Sequence, residues 1–347
     1  MTVPESARRG IASGGNWIVD RVKTLDHLPA RGMLANILGE VHSTGGAPAN
    51  VLADLARLRA PFPLAGHGVI GRDADGQFIL AQFRGLGVDM TGLVRTADAP
   101  TSYTDVMSEK GSGERAFFHH RGANALFGPE HVPVSALRCR IFHLGYLLLL
   151  DRMDAADPEH GIVAAGLLKA LRAQGIRTSV DVVSEDSDRF AAVVPPALKH
   201  VDYLILNEIE AGRSVGQNTR RADGSLDAEG LVSTARALMK CGDMLLVAIH
   251  MPEGAYLETR AGRRYAVGSL ELPSGFIKGT VGAGDAFCAG LLYGLHEAMD
   301  YNSALRLGCC CAAASLSMPG ATEGVRPLND VLVLGSQFPA RPPPIKV

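Results

Sequence analysis

The sequence predicts an α/β protein: a doubly wound, mainly parallel sheet covered by helices on both faces, with a small β-sheet insert. Three observations support this. From residue 140 onward, strand-like and helix-like segments alternate, the pattern of right-handed βαβ units. Two earlier stretches, at about residues 20–44 and 100–121, are separated in sequence but share strand character. The 347 residues are 47% hydrophobic, enough for one sizeable core.

Each element follows from local pattern. Residues 11–19 form a strand-like run interrupted by Gly14 and Gly15, and residues 34–42 form a second. The segment Gly45-Gly46-Ala47-Pro48-Ala49-Asn50 opens a helix in which Val51, Leu52, Leu55 and Leu58 recur at helical spacing. Residues 101–108 alternate as a strand, 109–113 turn, and 114–120 pair back as a hairpin. Strands are then expected at residues 140–149, 177–183, 203–206 and 244–249. Helices are expected at 161–174, ended by Gly175, at 231–239 and from Cys288 to Ala298. One domain is expected over residues 11–335. Residues 336–347, with Pro342, Pro343 and Pro344, read as a C-terminal tail, and residues 1–10 as a polar leader without a signal peptide's apolar segment.

Composition removes several classes of function. Charged residues make up 20% with a net charge of −2, so no basic excess points to nucleic acid. No apolar run is long enough to cross a membrane; the best, around Tyr146 to Leu150, reads as a buried strand. The six cysteines (Cys139, Cys241, Cys288, Cys309, Cys310 and Cys311) include no CxxC pair. The Cys309–Cys311 run reads as small apolar residues at a packed helix face rather than a metal or redox site. Reduced thiols and a cytoplasmic address are expected.

Chemistry concentrates in Gly279-Thr280-Val281-Gly282-Ala283-Gly284-Asp285-Ala286-Phe287. A glycine-rich turn entering a helix offers free backbone N–H groups and the positive end of the helix dipole, an anion site. A carboxylate there would repel a phosphate unless it serves an acceptor hydroxyl. Asp285 is placed to take a proton while Gly282, Ala283 and Gly284 hold charge on a transferring phosphoryl group. Alone, the stretch is equally a glycine-rich helix cap with Asp285 as a first-turn acid. The chain has no P-loop lysine pattern and no GxGxxG after its first strand, which disfavours a dinucleotide role.

The stretch from Thr280 to Phe287 resembles the C-terminal signature of the ribokinase or PfkB carbohydrate kinase family. Gly45 to Asn50 is similar to that family's N-terminal glycine signature, Gly122-Ala123-Asn124-Ala125 to the element after its lid hairpin, and Asn207-Glu208-Ile209-Glu210 to its NxxE motif. The matches occur in the family's order. The resemblance implies a ribokinase-like fold whose β lid comes from residues 20–44 and 100–121. It implies Asp285 as the base and Gly282, Ala283 and Gly284 as the anion hole. Asp20, Gly45, Gly46, Asn50 and Asn124 would form the pocket for a sugar or related polyol. Asn207, Thr280 and Gly254 would contact ATP, and Glu210 would hold Mg²⁺ through water. A homodimer through the lid is also implied. Read without the family, Asp20 is a turn residue, Asn50 a polar helix residue or cap partner, Asn124 a loop former and Glu210 a helix-start acid.

The sequence departs from the family at identifiable places. Gly279 replaces an aspartate that helps to hold a monovalent cation, so the resemblance carries no expectation of potassium activation. Residues 247–254 stand where a Thr-x-Gly loop is usual, and only Gly254 fits. Cys311 stands in place of an asparagine that often faces the nucleotide. In the hairpin, His119 and Arg121 would share one strand edge and could meet an acidic sugar, or lie on a solvated edge. Trp17 could stack on a sugar or base, or fill the junction between lid and core. The expected activity is transfer of the ATP γ-phosphoryl group to a small carbohydrate. The alternatives are a nucleoside kinase, with Trp17 and Phe117 as its base clamp, and a catalytically silent sugar-binding protein.

Overall fold

The computed structural model describes residues 8–111 and 115–347. Most of the expected leader, residues 1–7, and residues 112–114, where the end of the expected turn and the start of the returning strand fall, lie outside the described residues. The chain opens with β1 (Ile11–Gly15), β2 (Ile18–Leu25), β3 (Ile37–Gly45) and α1 (Ala47–Arg57). It continues through β4 (Leu64–Gly71), α2 (Ala74–Leu86), β5 (Asp89–Thr96), β6 (Ser102–Glu109) and β7 (Arg115–His120). Then come β8 (Ile141–Leu147), a short pair β9 (Ala156–Asp157) and β10 (Gly161–Ile162), α3 (Val163–Ala173) and β11 (Arg177–Val182). These are followed by α4 (Phe190–Ala197), β12 (Tyr203–Asn207), α5 (Glu208–Val215) and α6 (Ala228–Met239). The last elements are β13 (Leu246–Met251), β14 (Gly254–Thr259), β15 (Arg264–Gly268), α7 (Ala283–His296), α8 (Tyr301–Ser315) and α9 (Leu328–Gln337).

Among the described residues, nine strands make one sheet in the order β15-β14-β13-β12-β11-β8-β1-β4-β5. Every pairing from β13 to β5 is parallel, and β14 and β15 extend the edge as antiparallel strands. All of β1 is buried, as a strand covered on both faces must be. Its alternate residues feed two cores. Ile11 joins the core beneath α1, α7 and α8, and Ala12 joins the core beneath α3, α4 and α6.

A second sheet, in the order β3-β2-β6-β7, stands apart as the lid. The single run expected over residues 11–19 is therefore two strands in two sheets, with the break at Asn16 and Trp17. Trp17 explains the break. Its ring is 0% exposed, its indole N–H donates to the His67 carbonyl at 2.8 Å, and Phe83 meets it edge-on at 5.1 Å. A Cβ at Gly68 would lie 2.3 Å from the indole Cδ1, and one at Gly66 would lie 2.7 Å from Cζ2. The glycines that make β4 a poor strand by propensity are what seat the tryptophan.

The cysteine run follows the packing expectation. Cys309, Cys310 and Cys311 are buried on α8, and burial pushes the Cys309 thiol up to about 12. All six cysteines are free thiols. Residues after Gln337 run back along the body: Leu270 bridges Ala340, and the Arg341 N–H donates to the Ser269 carbonyl at 2.8 Å. Among the described residues, no helix is long and apolar enough to cross a membrane.

Candidate active site

The carboxyl ends of β8, β11, β12 and β13 meet the N-terminus of α7 beneath the lid, where open α/β sheets present their clefts. The cleft there has a volume of about 510 Å³. Gly282 caps α7 at φ 76°, a left-handed conformation that glycine adopts without strain. The first helical bond runs from the Ala286 N–H to the Gly282 carbonyl at 2.8 Å. The N–H groups of Ala283, Gly284 and Asp285 precede that bond, and all three residues line the cleft.

Asp285 is 7% exposed and held by two donors. The Asn50 amide donates to its Oδ2 at 2.7 Å, and the Tyr146 hydroxyl lies 2.9 Å from each carboxyl oxygen. Burial, then the neighbouring Asp181, push Asp285 up to about 6, while the two donors pull it back. Asp181 lines the same cleft, with its Oδ2 3.5 Å from His143 Nε2. Such a carboxylate can accept a proton beside N–H groups able to hold an anion.

The NxxE spacing has a local cause. Asn207 caps α5: its Oδ1 accepts from the Glu210 N–H at 2.8 Å, and Glu210 Oε2 accepts from the Asn207 N–H at 2.9 Å. The Ser184 hydroxyl donates to Glu210 Oε1 at 2.6 Å. Burial pushes Glu210 up to about 8. A nearby cation would favour its charged form, so the chemistry of this acid suits a bound metal. Among the described residues, no group of three or more His, Cys, Asp or Glu side chains is arranged to hold a metal ion. Any cation there would keep water or phosphate ligands, as Mg²⁺ does.

Asp20 lies at the root of the lid, in register with Thr104 and Ser43. Burial pushes it up to about 7; the Thr104 hydroxyl opposes this, and Asp285 adds to it. A Cβ at Gly45 would lie 2.2 Å from Asp20 Oδ2, so glycine there makes room for that carboxylate. Gly46 packs just as closely, against the Asn16 carbonyl. Asn124 is placed differently. It is fully buried, its Oδ1 accepts from the Trp17 N–H at 3.1 Å, and its amide donates to the Trp17 carbonyl at 3.2 Å. Both ends of its side chain pin the crossing from main sheet to lid; like Asp20, Gly45, Gly46 and Asn50, it is not among the residues lining the clefts.

A second, more apolar cleft of about 540 Å³ adjoins the first. Asn207, His250, Thr280, Ala283 and Gly284 border both, and Gly254 lies on its wall. Cys309, not Cys311, lines it; Cys311 is wholly buried. A Cβ at Gly279 would lie 2.7 Å from the Pro319 carbonyl oxygen, so this loop has no room for the missing carboxylate.

The lid residues sort differently from their sequence pattern. Arg121 pairs with Asp151 at 2.8 Å and Glu185 at 3.6 Å. His119 meets the Thr104 hydroxyl, and burial pushes it down to about 4, so it is uncharged near neutrality. Trp17 is buried and cannot stack on a ligand. Sequence reasoning missed Tyr146, Asp181 and Arg115, which line the cleft. Tyr146 lay in a run that reads as plain buried strand, Asp181 in another, and no pattern marked Arg115.

A family model, the pfkB family carbohydrate kinase, matches residues 11–327. The chain belongs to the PfkB family. Among curated relatives, the ATP-dependent ribose-1-phosphate kinase of Halopiger xanaduensis is 26% identical over 306 residues, 88% of this chain and 90% of that one. The 5-dehydro-2-deoxygluconokinase of Shouchella clausii is 23% identical, covering 84% of this chain and 85% of its own. Among solved structures, Arabidopsis thaliana ribokinase complexed with ribose and ATP aligns with a TM-score of 0.76 at 21% identity, over 94% of this chain and 98% of that one. Ribokinase from Giardia lamblia aligns at 0.78 with 20% identity, over the same shares. The fold is ribokinase-like, and the protein is a carbohydrate kinase of the PfkB type.

Proposed function

We propose that this kinase transfers the γ-phosphoryl group of ATP to a hydroxyl of a small carbohydrate, with Asp285 as the base. The observation that carries the reading is the buried Asp285 carboxylate at the open N-terminus of α7, held by Asn50 and Tyr146. The acceptor's proton passes to Asp285 as its oxygen bonds the γ-phosphorus. The bond from that phosphorus to the bridging oxygen breaks, and ADP leaves. The N–H groups at Gly282, Ala283 and Gly284 hold the charge on the phosphoryl oxygens. A base raised to about 6 is ionised near neutrality yet close enough in pKa to take the proton.

Asp20, Gly45, Gly46 and Asn50 form the acceptor side of this reading. Asn124 supports it from behind, by fixing Trp17. Thr280, Gly254 and Asn207 border the nucleotide side, and Glu210 would hold Mg²⁺ through water. That ion would neutralise charge on the phosphates. A monovalent cation is left out because position 279 is glycine. A cytoplasmic location and a homodimer through the lid complete the reading. The dimer is supported by the lid's exposed apolar side chains, with Val41 67%, Phe117 59% and Phe118 60% exposed. A monomeric mass in sedimentation at micromolar concentration would refute it. The buried Trp17 weighs against a nucleoside clamp, and the intact Asp285 site weighs against a silent binder.

The test is a coupled ADP-release screen with Mg-ATP, with and without potassium. The panel holds free sugars, nucleosides and the sugar phosphates and sugar acids named in the curated relatives. Acceptor-dependent release that disappears in Asp285→Asn supports the proposal. Silence across the panel, with thermal-shift binding of a sugar but not of ATP, would replace it with the binding-protein reading.

A further inference from the structure

The carboxylate of a base needs more than a suitable pKa. One oxygen must point at the acceptor with a lone pair free, and the group must not rotate away. At Asp285 those requirements fall on a residue for which the sequence motifs provide no role. Tyr146 sits at the end of β8, and its backbone N–H donates to the Asn16 Oδ1 where the chain crosses toward the lid. Its ring lines the cleft and its hydroxyl donates to Asp285, 2.9 Å from each oxygen. Oδ2 also accepts from Asn50 at 2.7 Å, whereas among the described residues Oδ1 has Tyr146 alone. A carboxylate oxygen has two lone-pair sites, so Oδ1 keeps one free, and Asp285 lines the cleft.

We propose that Tyr146 is the positioning residue of the base: its hydroxyl fixes the rotamer of Asp285, leaves Oδ1 as the proton acceptor and stabilises the ionised carboxylate. This rests on the reading of Asp285 as base. The surroundings support it. Most titratable groups around Asp285 repel its charge; of the others that line the cleft, His250 on β13 is pushed down to about 4 by burial and stays uncharged near neutrality, and Arg115 on β7 makes no hydrogen bond to Asp285 among the described residues. Asp181 on β11, Asp54 on α1, Asp20 on β2 and Glu210 on α5 disfavour ionisation, and His143 on β8 favours it weakly through space. Cys288 on α7 stays a neutral thiol, pushed well above its ordinary value by burial. Burial and the surrounding carboxylates also push the Tyr146 phenol well above its ordinary value, so it remains a neutral donor at every working pH. A neutral donor to a carboxylate favours the ionised form.

The experiment is Tyr146→Phe, which keeps the ring and removes only the donor, with Asp285→Asn alongside. The pH profile of kcat/KM is measured from pH 5 to 9. In Tyr146→Phe the acid limb should move up by roughly one pH unit, kcat at the plateau should fall roughly 10-fold, and the acceptor KM should change little. A purely structural role would lower thermal stability without moving the acid limb. An unmoved acid limb with wild-type kcat overturns the proposal, and so does an effect confined to the acceptor KM, which would make Tyr146 a substrate contact. If Asp285→Asn keeps wild-type turnover, the base assignment fails instead, so the two failures are distinct.

Discussion

Replacing Asp285 with asparagine should stabilise the fold while it stops turnover. The wild-type carboxyl rises from 3.8 to about 6 on folding, chiefly through burial. The unfolded chain releases this proton at the lower pH, so between these values the native state binds more protons. Stability therefore falls as pH rises through that window and stays at the lower level above it. A shift of about two units corresponds to about 3 kcal/mol. Asparagine cannot ionise and escapes the loss. Its hydrogen bonds can also be met: its oxygen, in the place of Oδ2, can accept from both Asn50 and Tyr146. The gain over wild type should be about 1.5 kcal/mol at pH 5 and about 3 kcal/mol at pH 8. Urea unfolding at both pH values measures it, and the ADP-release assay should show a loss of at least roughly 100-fold. A variant no more stable than wild type at pH 8, or a difference that does not vary with pH, would refute the electrostatic argument. Retained turnover would refute the base.

The remaining predictions concern the cleft and the lid junction. Gly68→Ala drives a Cβ to 2.3 Å from the Trp17 ring and should cost about 1–3 kcal/mol in urea unfolding; no loss would mean that β4 glycines do not seat the tryptophan. Glu210→Gln should raise the Mg²⁺ concentration for half-maximal activity by roughly 10-fold or more, with much of the rate recovered at saturating metal; an unchanged Mg²⁺ titration would remove Glu210 from the metal's surroundings. Arg115 is the only arginine or lysine among the residues lining the acidic cleft, and it pairs with no carboxylate among the described residues. Arg115→Ala should lower kcat roughly 10-fold or more, through lost neutralisation of phosphate charge, and an unchanged kcat would refute that role.

Much of the architecture was legible because periodicity reports burial. The alternation after residue 140, the strands at 177–183, 203–206 and 244–249 and the helix at 231–239 all carry clear apolar patterns, and all exist at nearly those bounds. The stretch from β4 to β5 was not legible. β4 contains Gly66, Gly68 and Gly71, and its reason for being a strand is a tryptophan seated across it from another part of the chain. The same tertiary contact hid the split of residues 11–19 into two sheets, which no local pattern announces. Asn124 was legible as a motif, but its hold on the Trp17 backbone was not, because that contact joins residues 107 apart in sequence.

The site divides along the same line. Its glycine-rich half is contiguous, from Gly279 to Asp285, and the N–H groups there act as a unit whatever surrounds them. Its acidic half is assembled from Asp20 on β2, Asp181 on β11, Glu210 on α5 and Asp285 on α7. Asp20, Glu210 and Asp285 are marked by the family resemblance, whereas Asp181 stands as an ordinary polar residue in its strand, and only the fold makes the four neighbours. Burial raises all four, Asp20 to about 7, Glu210 to about 8 and Asp285 to about 6, and repulsion from neighbouring carboxylates adds to it at Asp20, Glu210 and Asp285. A cluster that costs stability in the empty protein persists where bound ligands supply the compensating charge or take up the proton. Positive charge arriving beside Glu210 and an acceptor hydroxyl arriving at Asp285 relieve different members of that cluster. On the proposed reading, the acids beside Asp285 would link occupancy of one side of the cleft to the proton affinity of the other.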